Sequence, residues 1–132
     1  MEKTVDRTET APAPFQGAPY NQAIVAGDLV FVAGQMGLKP GDTAVEGDVG
    51  AQTEQALRNL GAILEAAGSS LDKLVKTSVF LQDLGDFAAM NEVYRTFFKA
   101  DPPARTTIVS DFVVPGALLE ISAIAVLGCA DR

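Results

Sequence analysis

Arg105 and Thr107 stand two residues apart just after a double proline, in the run Pro102-Pro103-Ala104-Arg105-Thr106-Thr107-Ile108-Val109. Proline has no amide hydrogen for a helix interior and biases the residue before it toward extended backbone, so a helix ends ahead of this pair and a strand opens at Ala104. Strand side chains alternate faces, which puts Arg105 and Thr107 on one side and Thr106 and Ile108 on the other. A guanidinium fork matches both oxygens of a carboxylate in one plane, and a hydroxyl or nearby backbone amide supplies a further donor. The chemistry suggested is carboxylate recognition. The plain alternative is a strand-end arginine in a surface ion pair.

Other chemistries are narrowed by composition. The chain contains no histidine, which removes Ser-His and Cys-His nucleophile pairs, imidazole acid catalysis and nearly all zinc sites. Its single cysteine, Cys129, excludes an internal disulfide and is poorly placed for a nucleophile. With a net charge of −7 and ten dispersed basic residues, nucleic acid is not expected as a partner. No apolar run approaches membrane-spanning length, and Met1 to Arg7 lacks a signal peptide's apolar segment, so no membrane association and a cytoplasmic location are expected. The 132 residues, 48% hydrophobic, suit one domain over 1–132.

The elements that must position the arginine can be read in order. Lys3 to Glu9 alternates like an edge strand, and Ala11-Pro12-Ala13-Pro14 continues it as an extended linker. Gln22 to Ala26 and Leu29 to Ala33 read as a hairpin turning at Gly27-Asp28. Asp48 caps a helix that Gly68 ends, with Val49, Thr53, Ala56, Leu60, Ile63 and Ala67 as its buried stripe, and Gln52, Gln55, Arg58, Asn59 and Glu65 mostly off it. Leu74 to Leu81 is a strand with Val75, Thr77, Val79 and Leu81 on one face. A second helix starts near Asp83 or Asp86, carries Phe87, Met90, Tyr94 and Phe97 as its stripe with Asn91 and Phe98 at the edge, and stops at the prolines. The last strand, Leu118 to Leu127, places Glu120, Ser122, Ile124 and Val126 opposite Leu119, Ile121, Ala123, Ala125 and Leu127. Two helices on one face of a mixed sheet is the economical α+β arrangement. The other face stays uncovered although Leu29 to Val32 and Leu118 to Leu127 are apolar on both parities, so self-association is expected.

These blocks also carry a resemblance. Ala18-Pro19-Tyr20-Asn21-Gln22-Ala23, Gly27 to Gln35, Gln52-Thr53, Ala66-Ala67-Gly68, Val75 to Leu81, Asn91-Glu92-Val93-Tyr94, Pro103-Ala104-Arg105 and Glu120 to Ala125 occur in order along nearly the whole chain. In them the chain resembles the RidA (YjgF) family of reactive-intermediate deaminases. The resemblance implies a chorismate-mutase-like α+β fold, a homotrimer with clefts between subunits, and hydrolysis of 2-imino or 2-enamino acids to 2-keto acids and ammonia. It places the carboxylate-gripping arginine at Arg105, the family's glutamate at Glu120, the cleft tyrosine at Tyr20, the helix asparagine at Asn91 and a backbone-contributing glycine at Gly34. Thr107 stands where the family often has cysteine, Ala33 where serine is frequent, Ala18 where the family has glycine and Ser122 where it has a second glutamate, which leaves substrate preference open.

For an imino acid, Arg105 would fix the carboxylate and with it the electrophilic carbon, while Glu120 would orient or deprotonate water. No metal or organic cofactor is demanded. Glu120 has a rival role as the ion-pair partner that lets Arg105 sit in a cleft. Tyr20 has a rival role as a packing residue, and Asn91 one as a loop tie. The runner-up function is a trimer that binds small carboxylates without turnover, as a sensor or regulator. The ribonuclease activity sometimes attached to the family is disfavoured by the acidic balance and the missing histidine.

Overall fold

The structure is a computed structural model and describes residues 2–128; Cys129 lies outside them. Six strands form one sheet: β1 (Lys3–Asp6), β2 (Ala23–Ala26), β3 (Leu29–Gln35), β4 (Leu74–Leu81), β5 (Ala104–Val109) and β6 (Leu119–Val126). Their order across the sheet is β1-β2-β3-β6-β4-β5. Two helices, α1 (Val49–Ala66) and α2 (Phe87–Phe97), lie on one face of it. Only β4 and β5 pair in parallel, because α2 carries the chain back between them as a crossover. No helix among the described residues is long and apolar enough to cross a membrane.

Local signals in the sequence account for most of this. Ala26 pairs with Leu29 across the two-residue Gly27-Asp28 connection, with Gly27 at φ 59°, a value that favours glycine. At the start of α1 the Asp48 carboxylate accepts the Ala51 amide at 2.8 Å, satisfying one of the orphan donors of the first turn. Gly68, at φ 88°, closes its other end. The α1 residues Ala56, Leu57, Leu60, Ile63 and Leu64 are fully buried against Val30 and Val32 of β3, Val79 and Leu81 of β4, and Leu119, Ile121 and Ala125 of β6.

Three expectations about faces need correcting. Val75 was expected beside Thr77 and Val79, yet it is exposed while Leu74 is buried. The β4–β6 pairing slips between Leu74 and Lys76, and this bulge turns the strand's first side chain to the opposite face. Phe87 is also exposed rather than part of the buried stripe. Gln52 and Asn59 are buried at 1% exposure each, although both are polar. Burial without partners would be costly, and both are fully used: the Gln52 amide donates to Gly47 and Gly116 carbonyls and accepts from the Leu118 amide, while Asn59 donates to the carbonyls of Met36 and Leu38. Gln22, also buried, holds the chain between Thr8 and Pro12 in the same manner.

Candidate functional site

Arg105 sits on β5, an edge strand, opposite Thr77 of β4, and so on the face that carries the helices. Its guanidinium carbon lies 4.8 Å from the Tyr94 ring centroid and 5.6 Å from that of Phe87. Both rings come from α2, seven residues apart and therefore on one side of it. Tyr94 is itself anchored, by a 2.8 Å hydrogen bond between its hydroxyl and Thr77 Oγ1 in the core and by the Phe98 ring 4.7 Å away. Burial raises the Tyr94 pKa against the opposing pull of Thr77 and Arg105, so the platform is a neutral phenol. Aromatic faces attract a guanidinium without using its N–H donors. Those donors meet no carboxylate: among the described residues the ion pair present is the exposed Glu54–Arg58 pair on α1. The surface-ion-pair alternative for Arg105 therefore fails, and its fork opens into a cleft of about 380 Å³ that Asn91, Phe98 and Pro103 also line. Thr107 follows on the same face of β5, bordering a neighbouring cavity.

Glu120 is on the other side of the sheet. It pairs with Phe80 of β4, in the set of β6 side chains that turn away from the helices. Next to it, β3 breaks register between Val32 and Gln35, and a Cβ on Gly34 would fall inside the Glu120 carboxylate. Gly34 is thus required for the space it leaves, beyond any backbone contribution. Tyr20 and Gly34 line one narrow cleft with Phe15 and Met36. The Tyr20 hydroxyl accepts the Phe15 amide at 2.7 Å, so the tyrosine is fixed by its own loop.

Partial burial pushes the Glu120 carboxyl above its ordinary value of 4.5. The folded chain then binds this proton more tightly than the unfolded chain, so the group's contribution to stability is present at low pH and is lost as pH rises through the raised pKa. Glu120→Gln is accordingly expected to melt at a higher temperature than the parent near neutral pH, with the gap shrinking at about pH 4. A gap independent of pH in thermal unfolding would contradict this origin of the shift.

The six residues read from the sequence therefore fall into two groups. Arg105, Thr107 and Asn91 belong to the helix-side edge; Glu120, Gly34 and Tyr20 belong to the open face. Register alone separates them, since Arg105 aligns with Thr77 and Ala123, whereas Glu120 aligns with Phe80 and Ile108. Glu120 is not the ion-pair partner of Arg105 in its own chain. Phe87 and Tyr94 escaped the sequence reading as site residues because an aromatic stripe at helical spacing reads as core; their shared helix face toward the strand of Arg105 was the available signal. Among the described residues no cluster of three or more acidic, cysteine or histidine side chains is arranged to hold a metal.

A mixed six-stranded sheet backed by two helices, with an unpaired arginine on an edge strand and a half-buried glutamate on the uncovered face, defines the class of small α+β proteins built on the YjgF-type fold. Known proteins agree. A family profile described as endoribonuclease L-PSP matches residues 8–127. A RutC family protein of Pyrococcus horikoshii is 47% identical over 124 residues, covering 93% of this chain and 97% of its own. The human 2-iminobutanoate/2-iminopropanoate deaminase is 39% identical over 120 residues, 90% of this chain and 88% of the human one. Among solved structures, E. coli TdcF with bound serine superposes with a TM-score of 0.87 at 37% identity, covering 95% of this chain and 99% of TdcF. The chain belongs to the RidA (YjgF) family.

Proposed function

We propose that this protein hydrolyses 2-imino acids to 2-keto acids and ammonia in clefts between copies of the chain in a homotrimer. The observation that carries the reading is the guanidinium of Arg105, held by two aromatic faces and a weak contact from its Nη1 to the Met90 sulfur at 4.0 Å, with no carboxylate on it among the described residues. Its hydrogen-bonding edge would take the substrate carboxylate in bidentate fashion and so fix the adjacent imine carbon. Glu120 of a second copy completes the cleft, because the glutamate and arginine of one chain face opposite ways. It takes a proton from water as the water oxygen bonds to the imine carbon and the C=N electron pair moves to nitrogen, which is protonated. In the carbinolamine so formed, the hydroxyl proton passes through Glu120 to the nitrogen, the C–N electron pair leaves with ammonia, and the oxygen closes the keto C=O. A carboxyl whose pKa is raised by burial is better suited to return that proton than an ordinary exposed glutamate. Asn91 would border the carboxylate end of the cleft and Tyr20 the glutamate end.

Two relatives support the reading: the human protein is named for imine deamination, and TdcF holds an amino acid. Binding without turnover is the second reading, favoured by the carboxylate-gripping half of the cleft, Arg105 with Asn91, Tyr94 and Phe98, being supplied by one chain alone. An amino-acid oxidase supplying imines from alanine and leucine, with semicarbazide as competing trap, separates the two. Less semicarbazone in the presence of the protein, and a mass of three chains in light scattering, is the expected result. Unchanged semicarbazone with every imine, alongside measurable keto-acid binding, would leave only the carboxylate-binding module.

A further inference from the structure

We propose that the apolar cavity next to Arg105 is the subsite for the substrate's side chain, selecting 2-imino acids with branched aliphatic or aromatic side chains over the one derived from alanine. The proposal rests on the deaminase reading above and adds its substrate class. The cavity, about 320 Å³, is lined by Leu81, Leu84, Phe87, Thr107, Ile108 and Val109. Four of these are large apolar residues left in solvent: Leu84 is 76% exposed, Val109 54%, Ile108 50% and Phe87 46%. Apolar surface gathered at one depression, rather than scattered, marks a place meant to be covered.

Its position says by what. Phe87 belongs to both places, carrying the guanidinium of Arg105 on its ring and walling the cavity. Thr107, the polar member of the lining, lies on the same face of β5 as Arg105 and about 7 Å further along the strand. A molecule whose carboxylate engages Arg105 therefore has its next atoms over Thr107 and its side chain between Leu84, Phe87 and Val109, which shares the face of Arg105 and Thr107. That separation suits a leucine- or phenylalanine-derived side chain and leaves a methyl group short of the cavity. Among the described residues no charged one lines it, so the imines of acidic or basic amino acids would have to bury a charge without a partner.

Competing imines derived from leucine, phenylalanine and alanine give the test, read as ratios of kcat/KM so that the fraction of active protein cancels. A hydrophobic pocket discriminates by roughly 10-fold or more per added carbon unit it can enclose. The leucine-to-alanine ratio is expected to reach at least about 10 in the parent and to fall about tenfold in Leu84→Asp. A ratio near one in an active parent, a ratio unmoved by Leu84→Asp, or a Leu84→Asp protein that no longer assembles as the parent does would overturn the subsite. If no imine is hydrolysed, the deaminase reading has failed and calorimetry decides the subsite separately. Tighter binding of 4-methyl-2-oxopentanoate than of pyruvate, lost in Leu84→Asp, would uphold it; equal affinities or no binding of either would end it.

Discussion

Arg105→Ala is expected to lower kcat/KM for every 2-imino acid by about 10²–10⁴-fold, because each hydrogen bond from a charged group contributes about 1.5–3 kcal/mol and a bidentate carboxylate loses two. The loss falls on the whole substrate series, since the carboxylate is common to all of it. Arg105→Lys should recover part of the rate: the ammonium keeps the charge but has neither the planar fork nor the flat surface that stacks between Phe87 and Tyr94. The melting temperature of the alanine variant should stay near that of the parent, because the side chain is only partly buried and has no ion pair in the fold to break. A loss below about threefold in initial-rate assays would remove the arginine from the mechanism.

Mixing two inactive variants should restore activity. Arg105→Ala chains retain Glu120, and Glu120→Gln chains, expected to lose about 10²-fold as a missing acid–base group would, retain Arg105. Since the two side chains of one subunit point to opposite faces of the sheet, each complete cleft of the proposed trimer would need Arg105 from one copy and Glu120 from another. In randomly assembled cyclic trimers about a quarter of the clefts then regain both. Co-expression with distinguishable tags, purification of mixed oligomers and measurement of imine hydrolysis tests this. Mixed oligomers no more active than either variant alone would mean that arginine and glutamate do not meet between subunits.

The division into two half-sites was only partly legible in the sequence. Parity along β5 put Arg105 and Thr107 on one face, and parity along β6 separated Glu120 from Leu119 and Ile121; both hold in the fold. What parity within a strand cannot supply is the relation between strands. That relation depends on β6 entering between β3 and β4 and on β5 joining β4 in parallel, which are choices of topology. The hairpin at Gly27-Asp28, the Asp48 cap and the Gly68 terminus were readable because each is a local geometric demand met by one residue type. The exposure of Val75 was hidden because a bulge is set by the partner strand. Gln52 and Asn59 were read as mostly off the buried stripe because helical periodicity scores side-chain polarity. It does not see backbone carbonyls from 36–47 and 116 that await a donor.

Those buried amides bear on how substrate enters and leaves. Asn59 grips the backbone at Met36 and Leu38 just beyond Gly34, and Gln52 ties Gly47 to Gly116 and Leu118 just ahead of Glu120. Freeing either segment strands several buried polar atoms at once, so neither has a cheap opening of its own. In the proposed cleft, then, neither of these two segments on the glutamate side would serve as a lid: substrate would meet them already in place, and product release would not require either to open.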